Sequence, residues 1–373
     1  MFRRRKRHWE RSLPWLLYLT GTALMLLLVP ALTAWWTAAA GADSGVEPSP
    51  SHSQGATNLE VGAMIGSESI SASASGRALQ WKILNTGEQE GGEWFVKLKR
   101  SNNGKVETLP LDQYVAGVVA AEMPAEFPLE ALKAQAIAAR TYAVYHGKGS
   151  TILSDQVKDQ VYLDEEGLRD RWGAQYEQNW QKVQGAVTAT ENQILTYEGK
   201  PILALYFSTS NGFTENVEEY WQQALPYLRS VSSPWDQASP HAVTTKRMKR
   251  SDVEQELGVK LASAVTVQGS NGQQGKQMAT VGHVLNWTTG KRVKTYAIED
   301  KSWSGREIRE RLQLKSAHFQ LELEGDEVKV ITYGYGHGVG MSQWGAAGMA
   351  EEGYTAEAIL LHYYQGTKLA KLE

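Results

Sequence analysis

The 373-residue chain contains no cysteine. Disulfides, thiolate metal sites and cysteine nucleophiles are excluded together, and any metal would need histidine and carboxylate ligands alone. A large net charge is also missing, the formal value being −3. That near-balance hides an asymmetry: Arg3, Arg4, Arg5, Lys6, Arg7 and Arg11 against Glu10 give residues 1–11 a net +5 and leave −8 for the remainder. A mildly acidic body is not the surface of a nucleic-acid binder, so no nucleic-acid partner is expected. Nucleotide signatures are absent too. The glycine-rich stretch GYGHGVGMSQWG lacks the third glycine of G-x-G-x-x-G, and no G-K-[ST] follows it. GMSQWG is one residue too long for the G-x-S-x-G elbow, which argues against Ser342 as a nucleophile. No internal repeat is visible.

What is present begins with a long uncharged run, LPWLLYLTGTALMLLLVPALTAWW at 13–36, bounded by Trp15, Tyr18, Trp35 and Trp36. Its length and aromatic ends predict one transmembrane helix, in which Pro30 near one end is tolerable. The basic segment 1–12 precedes it and no cation follows until Arg77, so the N-terminus is expected in the cytoplasm and the rest outside. A cleaved signal peptide is the alternative, for which AAAGA at 38–42 offers small residues; the apolar run exceeds a usual signal core, favouring an anchor. Residues 37–78, rich in Ser, Gly and Pro, read as a flexible tether, in which MIGSES at 64–69 is a candidate short strand.

Folded structure is expected from about residue 79, with strand-like alternation in ALQWKIL and EWFVKLKR. LPLDQYVAGVVAAEM has helical spacing, and Pro124 should stop that helix at or near Glu122. A second helix is expected after Pro128, running to His146 with Gly147 as its cap. Glu122 therefore sits on the turn between two helices, among Ala120, Ala121, Met123 and Pro124. A carboxylate in such surroundings has a structural partner or a chemical task. On the second helix Leu129, Leu132, Ala136, Ala143 and Val144 form one stripe, into which Lys133 and Arg140 intrude. Buried cations need carboxylate partners or a polar cavity, so each is either a structural ion-pair member or a site residue. Further on, a helix around 179–191, a hairpin turning at Glu198-Gly199-Lys200, a helix SDVEQELG begun by Ser251, a strand ASAVTVQG, a loop GSNGQQGKQ, and helices capped by Ser304 and Thr355 are expected. The composition changes between about 238 and 328, which reads as an inserted accessory subdomain. The expected class is α+β: mixed helices and antiparallel sheet with that insertion, preceded by the membrane helix.

Near the C-terminus one glycine-rich loop carries His337, Ser342, Gln343 and Trp344. Hydrogen-bonding side chains beside an indole suit a carbohydrate, whose hydroxyls need polar partners and whose ring faces stack on aromatics. Core packing is the competing reading for Trp344 and His337. Tyr206 and Ser208 share one side of a strand and are further candidates for substrate contact.

Three separated segments, VAGVVAAEMPAEFPLEALKAQAIAARTYA, YFSTSNGFTENVEEYW with PYLRSVSSPWD, and GYGHGVGMSQWGAAGMAEEGYTAEAILLHYYQGT, resemble the stage II sporulation protein D family, which also includes amidase-enhancer proteins. The resemblance covers residues 79–373. It implies a membrane-anchored lytic transglycosylase acting on peptidoglycan glycan strands in forespore engulfment, in the mother-cell membrane, with a SpoIIP-type amidase and a SpoIIM-type membrane protein as partners. It implies that Glu122 is catalytic and that Arg140 holds substrate or stabilises the site; Lys133, Tyr206, Ser208, His337, Gln343 and Trp344 are candidate substrate contacts. Some members bind zinc through a cysteine before Gln160-Val161-Tyr162; Asp159 stands there, and with no thiolates neither metal nor cofactor is expected. Asn211 occupies a position where the family commonly has glycine.

The chemistry fits a lone glutamate. Hydrolysis of a glycoside normally takes two carboxylates, whereas a lytic transglycosylase uses the sugar's own C6 hydroxyl, so one carboxyl with a raised pKa can act as acid and then base. Glu126 is the nearest second carboxylate in sequence, but it precedes a helix N-terminus and suits the helix dipole. The rival reading is a non-catalytic glycan-binding module that activates a cell-wall amidase.

Overall fold

The structure is a computed structural model that describes residues 94–147, 151–221, 223–261 and 279–372. All of these belong to one compact unit, Ala78–Glu373; the chain's other unit is Met1–Arg77. The expected span 13–36, the tether, the strands at 64–69, 78–84 and 262–269 and the loop at 269–277 lie outside the described residues. Among the described residues, no helix is long and apolar enough to cross a membrane.

The body is α+β. The chain runs through β1 (Phe95–Lys99), β2 (Val106–Pro110), α1 (Leu111–Glu122), α2 (Leu129–His146), β3 (Leu153–Ser154), α3 (Glu165–Trp172), α4 (Tyr176–Thr188), β4 (Gln193–Tyr197), β5 (Lys200–Pro201), β6 (Tyr206–Phe207) and α5 (Val217–Tyr220). Next come β7 (Val243–Lys249), α6 (Arg250–Leu257), β8 (Ala279–Thr280), β9 (His283–Trp287), β10 (Val293–Ile298), β11 (Lys301–Ser304), α7 (Gly305–Arg311), β12 (Phe319–Glu324) and β13 (Glu327–Tyr333). It closes with β14 (Met341–Ser342), α8 (Gln343–Glu351), α9 (Ala356–Tyr363) and β15 (Lys368–Lys371). Most strand pairs are antiparallel, but β1 with β3 and β6 with β14 are parallel, which corrects the expectation of antiparallel sheet alone. In both cases long intervening segments return the chain to the same end, as parallel pairing requires. One hydrophobic core draws on residues from Val96 to Leu228 and again from Val339 to Leu372; a second lies between Val253 and Val330.

Proline sets the geometry around Glu122. Met123, directly before Pro124, is extended at φ −116 and ψ 144, so α1 ends at Glu122. Helix α2 starts at Leu129 after Pro128 and is closed by Gly147. The β4–β5 hairpin turns through Glu198 and Gly199, both at positive φ. Ser304 and Thr355 cap α7 and α9 through their hydroxyls. Two expectations are corrected. Helix α6 begins at Arg250, with Lys249 rather than Ser251 at its cap. Leu129 is 42% exposed, so the apolar stripe of α2 starts one turn later.

Among the described residues Arg140 is the largest fully buried side chain. Its Nε donates to Asp112 Oδ1 at 2.9 Å, Nη2 lies 2.8 Å from the same oxygen, and Nη1 and Nη2 donate to the carbonyls of Gln193 and Val187 at 3.2 and 3.3 Å. This one guanidinium ties the first turn of α1 to α2, α4 and β4. Asp112 and Glu122 sit at opposite ends of α1, about 15 Å apart at 1.5 Å per residue. Arg140 therefore faces away from Glu122, and its expected substrate contact is corrected to a structural ion pair.

Gly117 performs a second positioning task. A Cβ there would lie 2.3 Å from the Tyr162 ring and 2.7 Å from the Leu163 carbonyl, so glycine lets the segment around 160–163 lie directly on α1. Replacing Arg140 with leucine should lower the unfolding free energy by about 2–4 kcal/mol, less than a wholly dry pair because Asp112 keeps contact with water. Urea denaturation of the variant measures this, and an unchanged midpoint would contradict the structural assignment.

Candidate active site

Glu122 is the last residue of α1, with Ala120 and Met123 almost fully buried beside it. Its Oε1 accepts from the Val161 amide at 2.8 Å, an approach that Gly117 permits. Burial pushes its pKa above the ordinary glutamate value; the Val161 amide, the Gln343 amide, the Arg171 cation and the Tyr206 hydroxyl each pull it back, and burial wins. No second carboxylate is among these dominant influences. Glu126 is exposed and is not one of them.

The turn after Glu122 is held from outside by two cations. Arg171 Nη1 donates to the carbonyls of Ala120 and Ala121 at 3.3 and 2.6 Å, capping the electronegative end of α1. Lys182 Nζ donates to the carbonyls of Glu126 and Phe127 at 3.2 and 2.7 Å. The Phe127 ring then meets Trp344 edge to face, with centroids 4.8 Å apart.

The C-terminal glycine-rich segment is fastened by a buried carboxylate, Asp236, which sits in a short 3₁₀ turn, Pro234–Ala238. It accepts from the Ser210 amide at 2.7 Å, from the hydroxyls of Ser210 and Ser233 at 2.8 and 2.7 Å, and from the Ser342 hydroxyl. Ser342 is thus fully buried and committed as both an Asp236 partner and the N-cap of α8. The next residue, Gln343, is brought to the Glu122 carboxyl. Its Nε2 lies close enough to the carboxyl to favour the charged form but makes no hydrogen bond of normal geometry with any group, so it remains a donor for a ligand in the site. Gly340 makes the preceding approach possible: at φ 80, its absent Cβ would fall 2.0 Å from the Leu205 carbonyl.

Of the sequence candidates, the structure gathers Tyr206 and Gln343 around Glu122. Ser208 and Trp344 stand next to them, the Trp344 amide donating to the Ser208 carbonyl at 3.0 Å. His337 lies behind Tyr206, wedged among Phe207, Tyr220 and Trp221 with ring centroids 5.8, 5.7 and 5.1 Å away. Its Nδ1 accepts from the Val339 amide at 3.0 Å, so the proton of the neutral ring is on Nε2. Burial, with Arg309 and Arg292 nearby, lowers its pKa to about 3, and it stays neutral. Lys133 pairs with Glu130 at 2.7 Å, and the other oxygen of Glu130 accepts from the Ala356 amide at 2.8 Å. Lys133 thus forms a local, partly exposed ion pair on α2, whereas Arg140 belongs to helix packing. Sequence reading gave no role to Arg171, Lys182, Gln160 and Asp236, although Gln160 and Asp236 stand in stretches that carry the family resemblance. Asp159 accepts from the Ser154 amide at 2.8 Å and meets the Tyr142 hydroxyl.

A raised folded pKa has a definite sign. The folded state grips the Glu122 proton harder than the unfolded chain, so its contribution to stability falls as pH rises from about 4.3, the unfolded glutamate value, through the higher folded value. Glu122→Gln removes that loss. Its urea midpoint relative to the parent should therefore be higher at pH 8 than at pH 4, and a difference independent of pH would contradict the raised value.

Comparison with known proteins follows the same segments. A family model described as stage II sporulation protein matches residues 99–197, which include α1, α2 and Val161. Stage II sporulation protein D of Bacillus subtilis (strain 168) is 43% identical over 325 residues, 85% of this chain and 89% of that protein. Its counterpart from Bacillus amyloliquefaciens is 45% identical over 286 residues, 74% of this chain and 79% of that one. An amidase enhancer of Bacillus subtilis (strain 168) is 30% identical over 294 residues, 68% of this chain and 40% of the enhancer. Identity of 43–45% over most of the length of the two stage II sporulation proteins D shows that the chain belongs to the stage II sporulation protein D family.

Proposed function

We infer that this protein is a membrane-anchored lytic transglycosylase. It cleaves peptidoglycan glycan strands between N-acetylmuramic acid and N-acetylglucosamine during forespore engulfment. The observation that carries this reading is Glu122: one carboxyl that burial inclines to stay protonated, hydrogen-bonded by the Val161 amide with Tyr206 and Gln343 beside it, and with a cation rather than a second carboxylate among the dominant influences on it. The names of the sporulation relatives and of the amidase enhancer support a sporulation and cell-wall setting.

In this reading the protonated Glu122 gives its proton to the glycosidic oxygen as the bond from muramic acid C1 breaks. The muramic acid C6 hydroxyl then attacks C1, and Glu122 takes up the hydroxyl proton. The products are a 1,6-anhydro end and a free hydroxyl, and the carboxyl returns to its starting state. The Val161 amide and the Tyr206 hydroxyl stabilise the charge on Glu122 between the two transfers. The half-buried Trp344 offers a ring face or edge to a sugar. The uncharged run 13–36 anchors the chain with its N-terminus in the cytoplasm, and a SpoIIP-type amidase and a SpoIIM-type membrane protein are its proposed partners.

The second reading, a glycan-binding module that stimulates an amidase, is favoured by the likeness to the amidase enhancer. Incubating the full-length chain with peptide-free glycan and identifying the ends by mass spectrometry separates the two. The lytic reading expects 1,6-anhydro ends, with the rate cut by about 10²–10⁴ in Glu122→Gln. It also expects cleavage to decline as pH rises through the Glu122 titration, because the first step needs the acid form. Reducing ends would indicate hydrolysis, and unchanged amidase stimulation without any cleavage would support the module.

A further inference from the structure

Behind the site runs a chain of polar groups, of which the mechanism above uses only the last, Tyr206. Tyr114, fully buried in α1, donates its hydroxyl to Gln160 Oε1 at 3.0 Å. Gln160, 1% exposed, donates Nε2 to the Tyr206 hydroxyl oxygen, also at 3.0 Å. Tyr206 in turn acts on the Glu122 carboxyl.

The orientation of the Gln160 amide sets the polarity of this chain. An amide nitrogen carries only donors, so Tyr206 must accept from Gln160. The one proton of the Tyr206 hydroxyl is then left for another acceptor, and the carboxyl beside it is Glu122, whose Oε1 already takes the amide of Val161, the residue after Gln160. The Tyr114 hydroxyl takes the Gln160 oxygen, which leaves the amide nitrogen on the side of Tyr206. Both phenols hold their protons, since burial drives each well above the ordinary tyrosine value. All three donors thus point toward Glu122. Hydrogen bonds in such a row polarise one another, and low surrounding dielectric strengthens the effect.

We propose that Gln160 is a positioning residue that, braced by Tyr114, turns the Tyr206 hydroxyl proton onto Glu122. This deepens the lytic reading, on which its catalytic consequence rests: the relay steadies the carboxylate that exists between proton donation and proton recovery. Its hydrogen-bond content stands without that reading.

The test compares parent, Gln160→Met, Tyr206→Phe and the double variant in the full-length chain. Methionine keeps the length of glutamine and cannot donate. Two readouts are taken: the pH profile of kcat/KM on peptide-free glycan, and the ring-carbon resonance of Tyr206 labelled at Cζ. Gln160→Met should move the alkaline limb of the profile upward in the parent background and leave it unmoved in the Tyr206→Phe background. The Tyr206 resonance should follow the Glu122 titration in the parent, lose that response in Glu122→Gln, and be displaced by Gln160→Met. Equal shifts of the limb in both backgrounds, or a Tyr206 resonance indifferent to Glu122, would overturn the proposal. If the chain cleaves no glycan the lytic reading fails, and the resonance alone decides the relay. Should Gln160→Met not fold, Tyr114→Phe removes a single hydroxyl from the far end of the chain; a displaced Tyr206 resonance supports the relay, and an unmoved one overturns it.

Discussion

The site depends on holding one carboxyl largely out of water while leaving it hydrogen-bonded. Full desolvation of a carboxylate is costly, and a carboxylate with many donors loses its proton too readily to serve as an acid. Glu122 stands between these limits, with burial ahead of four opposing influences. Much of the surrounding architecture maintains that balance. The proline after Met123 stops α1 at this residue, Gly117 admits the Val161 amide, and Arg171 relieves the electronegative helix end.

Distant parts of the chain reach the same place through Asp236. By gathering Ser210, Ser233 and Ser342, its carboxylate aligns the strand that carries Tyr206 with the helix that starts at Gln343. A second joint couples the β7–β13 region to this body. Glu215 accepts from the amides of Gly290 and Asn216 at 2.9 and 3.0 Å and from the Thr288 hydroxyl. Burial and a carboxyl contact with Glu219 raise Glu215 to about 7, while Arg292 lies 3.9 Å away. The two joints use buried carboxylates in different ways. Asp236 is saturated with neutral donors, whereas Glu215 shares its surroundings with another acid.

The helices next to the site were legible because proline and glycine punctuate them. Pro124, Pro128 and Gly147 set the limits of α1 and α2 locally, as did the hydroxyl caps at Ser304 and Thr355. The oddity of Arg140 was also visible as a cation within an apolar stripe. Its meaning was not, because Asp112 lies 28 residues earlier and only tertiary packing decides which acid meets a buried guanidinium. Gln160, Arg171 and Asp236 were illegible for a related reason. Their roles lie in pairings across 26 to 106 residues, and no periodicity records those. Ser251 shows the opposite failure: a good capping residue passed over because β7 runs directly into α6.

The central claim is that Glu122 keeps its proton to a higher pH than a free glutamate, and a side-chain carbon NMR titration of the full-length chain labelled at glutamate Cδ tests it most directly. The resonance absent from Glu122→Gln identifies the residue. The account predicts a midpoint above that of the exposed glutamates in the same spectrum. A midpoint at or below theirs would contradict it.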